Sequence, residues 1–120
     1  KVRRVWSYVA TVIRVVDGDT VWVTLDTGFG DYVDQNLRLR GIDTPEMGTV
    51  AGRQASEWLE KRLAGASPFV VTTTKVDLYD RDLADIFALR GEDDLQKVAR
   101  DGDYVNREMV REGLARVWIE

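Results

Sequence analysis

There is no cysteine in this chain, and no histidine. The first absence excludes disulfides, thiolate zinc sites and thiol nucleophiles. The second excludes Ser-His and Cys-His catalysis and every imidazole-bound metal. Chemistry must then come from carboxylates, lysine, arginine, tyrosine or hydroxyls. A bound metal would meet oxygen ligands, which calcium and magnesium prefer. No run of about eighteen apolar residues occurs, so no membrane-crossing helix is expected. Positive charge is not in excess either: the formal net charge is −4. That total argues against broad electrostatic attachment to nucleic acid, although the distribution of charge can override it. Internal repeats and low-complexity segments are absent.

What is present suits one soluble globular domain over residues 1–120, with 44% hydrophobic and 32% charged residues. A monomer is expected. No signal peptide is visible, and a secreted and a cytoplasmic protein are both compatible with these residues. Tyr8 to Val16 is rich in β-branched residues, and Val21, Val23 and Leu25 alternate with Trp22 and Thr24. Asp17-Gly18 between them signals a hairpin, because both residues tolerate positive φ. Thr27 to Gly30 is a second turn, and Val33 to Ile42 a third strand. From Thr49 to Leu63 the period changes: Ala51, Ala55, Leu59 and Leu63 recur every four residues, as in an amphipathic helix ended by Gly65. Phe69 to Val76 and Leu83 to Leu89 are the fourth and fifth strands. Residues 90–101 form an extended polar loop. A short helix follows over Tyr104 to Glu112, with Asp103 as N-cap and Gly113 as C′ residue. The expected class is mainly β with α: a five-stranded OB-fold barrel with two to three helices.

Three stretches carry charge where a fold alone does not ask for it. In "RLRGIDTPE" (38–46), Arg38 and Arg40 share the face opposite Leu37 and Leu39, Gly41 breaks the strand, and Asp43-Thr44-Pro45-Glu46 follow. Charges this close need a shared partner or they cost free energy. Read alone, the stretch is a turn as readily as a site. "VVDGDTVWV" (15–23) places Asp19 just past the hairpin turn, and turn chemistry is its first reading. "DLYDRDLADIF" (77–87) places Arg81 between two aspartates, which by itself describes a surface ion pair. Together they differ. Carboxylate oxygens suit a calcium ion, and guanidinium forks suit a phosphate. A metal, two arginines and a spare carboxylate make a phosphodiester-cleaving inventory without histidine.

The motifs "VVDGDTVWV", "LRLRGIDTPE", "YDRDLADIF" and "VNREMVREGLARV" resemble the staphylococcal nuclease (thermonuclease) family over nearly the whole chain. The resemblance implies the same OB-type barrel. It implies that Asp19, Asp43 and the backbone carbonyl of Thr44 hold Ca2+, and that Glu46 positions or deprotonates the attacking water. It implies that Arg38 and Arg81 hold the phosphate and stabilise its charged transition state, with Tyr79 near the phosphate end of the nucleotide. Asp19, Asp43 and Glu46 are then expected to converge in one pocket. The chain departs from the family in the short "MGTVAGRQA" (47–55), where Arg53 is the only cation and a candidate substrate contact. It also carries Leu78 where a lysine is familiar and Asp80 where glycine is usual.

The resemblance thus implies a calcium-dependent endonuclease. Its substrates would be DNA and RNA, with unpaired strands preferred and 3′-phosphates left behind. The competing reading is a catalytically silent OB-fold module that binds nucleic acid or protein. Such modules typically lose the acidic or arginine positions, whereas this chain keeps Asp19, Arg38, Asp43, Glu46 and Arg81.

Overall fold

The computed structural model describes residues 6–65, 68–76, 82–88 and 103–118. Tyr79, Arg81 and the expected 90–101 loop lie outside them. Strands β1 (Trp6–Asp17), β2 (Thr20–Gly28) and β3 (Asp31–Leu39) form an antiparallel meander. After helix α1 (Val50–Gly65), β5 (Phe69–Val76) pairs antiparallel with β1, and β6 (Asp82–Ala88) with β5. The parallel pair β3–β6 closes the ring, with Arg38 opposite Leu83 and Leu39 opposite Ala84. Five strands therefore make the closed OB-fold barrel that the pattern predicts. Short pieces decorate it: β4 (Ile42–Asp43) pairs with β8 (Arg116–Val117), and β7 (Asp103–Tyr104) extends β6 ahead of helix α2 (Val105–Arg111).

Alternation decides what fills the barrel. Val21, Val23 and Leu25 of β2 face Leu37 and Leu39 of β3, Phe69 and Val71 of β5, and Ile86 of β6 in one buried cluster. Leu59 and Leu63 of α1 and Val105 and Met109 of α2 plug it from outside the sheet. Asn106 is the polar member of this region, 1% exposed. Its side-chain amide donates to the carbonyls of Arg40 and Ala84, and its Oδ1 accepts from Ile86 N. It thereby ties α2 to β6 and to the turn that leaves β3.

Several expectations change in detail. The third strand ends at Leu39, and Gly41, at φ +79°, turns the chain so that Ile42 and Asp43 pair elsewhere. Gly18 is not in the left-handed region. A Cβ there would lie 2.8 Å from Ala55 Cβ and from Thr44 Oγ1, so glycine is required by close approach. In α1, Ala51 is exposed, and Gly52 and Ser56 join Ala55, Leu59 and Leu63 on the buried face. Asp103 is not the N-cap of α2. That position is Tyr104, which makes no side-chain cap, and the Asp103 carboxylate instead pairs with Arg62 of α1 at 3.2 Å. Gly113 does follow the helix as C′, at φ +75°, its N–H bonded to the Val110 carbonyl.

Candidate active site

The β2–β3 register sets Thr20 opposite Arg38, which brings Asp19 beside the arginine as it leaves the barrel. The two carboxylates of the β1–β2 turn then divide the work. Asp17 Oδ1 accepts the Asp19 N–H at 3.1 Å, a local turn contact. Asp19 turns inward, is 8% exposed, and accepts from Thr44 N on Oδ2 and from the Thr20 hydroxyl on Oδ1. Turn chemistry belongs to Asp17, and the Asp19 carboxylate faces Thr44 and Arg38 instead.

Arg38 bridges two acids. Its Nη1 lies 2.6 Å from Asp19 Oδ2, its Nη2 lies 3.8 Å from Asp43 Oδ1, and Nη2 also donates to the Ile42 carbonyl. The contact to Asp19 is an ion pair by distance but not in direction: Nη1 is buried and makes no directed hydrogen bond among the described residues. The electrostatics of Asp19 are correspondingly incomplete. Burial, reinforced by Asp17, pushes its carboxyl above the ordinary value, and Arg38 and the Thr44 N–H offset only part of this.

Backbone contacts hold the rest. The missing Cβ of Gly18 lets Thr44 lie against the hairpin turn. The Thr49 hydroxyl donates to the Glu46 carbonyl at 2.6 Å and accepts from Gly52 N at 3.0 Å, so one side chain caps α1 and pins the chain at Glu46. A Cβ on Gly52 would come within 2.0 Å of the Glu46 carbonyl oxygen. Only glycine lets that segment lie on the helix. Residues 43–46 form one wall of a pocket of about 510 Å³, and residues 113–116 form the other.

Asp19, Arg38, Asp43 and Thr44 are therefore brought together, with Glu46 on the adjoining wall. The expected convergence of three carboxylates does not occur. Among the described residues no group of three acidic side chains is placed to share one ion; Glu46, past Pro45, has its side chain exposed and lines one pocket with Asp43. Arg53 is exposed on the first turns of α1 and does not line this pocket. Thr49, Gly52 and Arg116 are further residues of this site that the motifs do not single out. A Thr just before helical periodicity is a recognisable cap signal, whereas only the fold reveals what Gly52 avoids. Arg116 donates to Asp43 Oδ2 from Nη2 at 3.0 Å and from Nε at 3.3 Å.

Barrel and site together define a class: an OB-fold domain with an arginine-bridged acidic cluster at the exit of its third strand. The family model described as "Staphylococcal nuclease homologue" matches residues 36–119. The thermonuclease of Staphylococcus hyicus is 35% identical over 114 residues, which cover 88% of this chain and 56% of that protein. The chain thus spans little more than half the length of this curated relative. It belongs to the staphylococcal nuclease homologue family and forms a nuclease-like domain.

Proposed function

We propose that this domain is a calcium-dependent phosphodiesterase that hydrolyses DNA and RNA, prefers unpaired strands and leaves 3′-phosphates. The observation that carries the reading is Arg38 between Asp19 and Asp43: a buried guanidinium nitrogen that makes an ion pair but no directed hydrogen bond among the described residues, beside a carboxylate that burial makes costly to ionise. Such a cluster suits a cation on its acidic side and an anion on its basic side. The donor set fits the first, since Asp19, Asp43 and the Thr44 carbonyl are all oxygen donors of the kind calcium takes. When bound, the ion would supply Lewis-acid neutralisation of a non-bridging phosphate oxygen.

The chain's own groups do the rest. Arg38 presents a planar fork to the phosphate and neutralises charge that grows on its oxygens in the transition state. Arg81 has the same role by family resemblance, with Tyr79 and Arg53 contacting substrate. Glu46, exposed on the pocket wall, accepts a proton from water that attacks phosphorus in line, while the P–O5′ bond opposite breaks and the 5′-oxygen leaves as a hydroxyl after taking a proton from solvent. Recognition centred on phosphate reads neither base edges nor the 2′-hydroxyl, which is why both nucleic acids are substrates.

The test is cleavage of a labelled single-stranded oligonucleotide with calcium and with chelator. Wild type cleaves only with calcium, and Glu46→Gln loses ~10²-fold or more of the rate. Retained cleavage in chelator sinks the calcium reading. Binding without cleavage by wild type identifies a silent module instead.

A further inference from the structure

Arg116 reaches the site from the far end of the chain. The two-residue ladder between β4 and β8 sets it directly opposite Asp43. Its guanidinium makes two hydrogen bonds to Asp43 Oδ2 and stacks over the Trp118 ring, 5.6 Å from the centroid. The Trp118 N–H donates to the Gly41 carbonyl at 2.8 Å, which fixes that platform to the turn ahead of Asp43. Asp43 is consequently held between two cations, Arg38 toward Oδ1 and Arg116 on Oδ2. The two differ in setting: Arg38 is 12% exposed and Arg116 72% exposed. A buried guanidinium cannot leave cheaply, but a solvent-exposed one can.

We infer that Arg116 is a positioning residue that competes with the metal for Asp43. It orients the carboxylate when no cation is bound, draws on the same negative charge, and thereby sets how tightly the cation is held. The inference rests on the reading of Asp43 as a cation ligand. Arg116 also lines the pocket with Glu46. A guanidinium displaced from Asp43 therefore remains inside the space that a phosphate would enter.

The experiment is calorimetric titration of calcium into the metal-free protein at low ionic strength, without substrate. Wild type is compared with Arg116→Gln and with Arg111→Gln, which removes the same charge from the last turn of α2. Thermal melts in chelator check that each variant is folded. Arg116→Gln should bind calcium about two- to fivefold more tightly, the range open to a solvent-screened pair. The gain should shrink as salt is added. Arg111→Gln should bind as wild type does. A purely structural Arg116 would not raise calcium affinity. Unchanged or weaker binding by Arg116→Gln overturns the inference, as does an equal gain in Arg111→Gln, which would reduce it to net charge. If neither wild type nor Arg116→Gln binds calcium, the cation-ligand reading of Asp43 falls and the inference with it.

Discussion

Arg38 and Arg40 leave the same strand end two residues apart, and each meets a buried aspartate, yet the two clusters they build are opposites. Around Asp85 everything is closed. Arg40 Nε donates to Oδ2 at 3.0 Å, and the Tyr104 hydroxyl donates to Oδ1. The Tyr104 ring stacks on Phe87, with Arg107 over it. Pairing dominates there: the hydrogen bond to Asp85 outweighs desolvation and holds Arg40 more firmly protonated than usual. Around Asp19 burial dominates instead, and Arg38 offsets only part of it. A satisfied ionic network is a strut, whereas a buried carboxylate whose desolvation is only partly offset costs free energy to keep ionised.

Amide substitutions should split the two clusters most widely. Asp19→Asn keeps the shape, keeps an oxygen for the Thr44 N–H and removes a buried charge. Cleavage should fall by ~10³-fold or more, while the protein in chelator is as stable as wild type or more so. Asp85→Asn should do the reverse. It takes the charge from the Arg40 pair and should cost about 1–3 kcal/mol, with turnover little changed well below the melting temperature. Urea unfolding in chelator and initial rates in calcium decide it. If both variants lose stability alike, Asp19 is a strut too and the contrast is wrong.

Lysine at each arginine sharpens the same point at smaller scale. Arg38→Lys keeps charge but loses the planar fork, and turnover should fall by ~10²-fold. Arg40→Lys should leave turnover within about threefold and cost about 1 kcal/mol, because a lysine cannot reproduce the guanidinium geometry at Asp85. Rates and melts on both variants check it. Equal losses of turnover would mean that the two arginines act as one site.

Gly52→Ala pits local propensity against the site. On an exposed helix the change would stabilise by about 1 kcal/mol. Here the new Cβ would collide with the Glu46 carbonyl, and backbone must move. A displacement on the order of 1 Å near the reacting groups costs up to ~10²-fold in rate, so a loss of about tenfold is expected. A more stable variant with normal turnover would show that Glu46 need not be held where it is.

The barrel was legible because its cause is local. Val21, Val23 and Leu25 alternate, Leu59 and Leu63 follow a helical period, and Gly28, Phe29 and Gly30 at positive φ mark the turn before β3. The acidic cluster was legible through motifs, since Asp19, Arg38, Asp43 and Thr44 are drawn together as their pattern implies. What stayed hidden depends on contacts between distant segments. Nothing in "RLR" says that Arg38 meets Asp19 and Arg40 meets Asp85, because strand pairing makes that choice. Gly18 looked like a φ requirement and is a packing one. Asp103 has the residue type of a cap, but its carboxylate pairs with Arg62 of α1.

The smallest expected effect tests whether the closed cluster is closed. Burial first, and the bond to Asp85 second, push the Tyr104 hydroxyl up to about 12, against an ordinary value of 10.0. The neutral phenol is the donor the fold uses. In the unfolded chain the phenol releases its proton near pH 10, while in the native state it is retained to about pH 12. Between those values the unfolded state binds fewer protons, so stability contributed by Tyr104 is complete below pH 10 and is lost as pH rises toward 12. Tyr104→Phe lacks this titration. At neutral pH it should be less stable by about 1 kcal/mol, because Asp85 Oδ1 loses a donor. Its melting temperature should then decline less steeply from pH 10 to 12, so that the two curves approach each other. Groups that titrate in both proteins cancel in the difference. A gap that stays constant over that interval would show that burial and the bond to Asp85 do not hold the phenol neutral, and the cluster around Asp85 would not be closed.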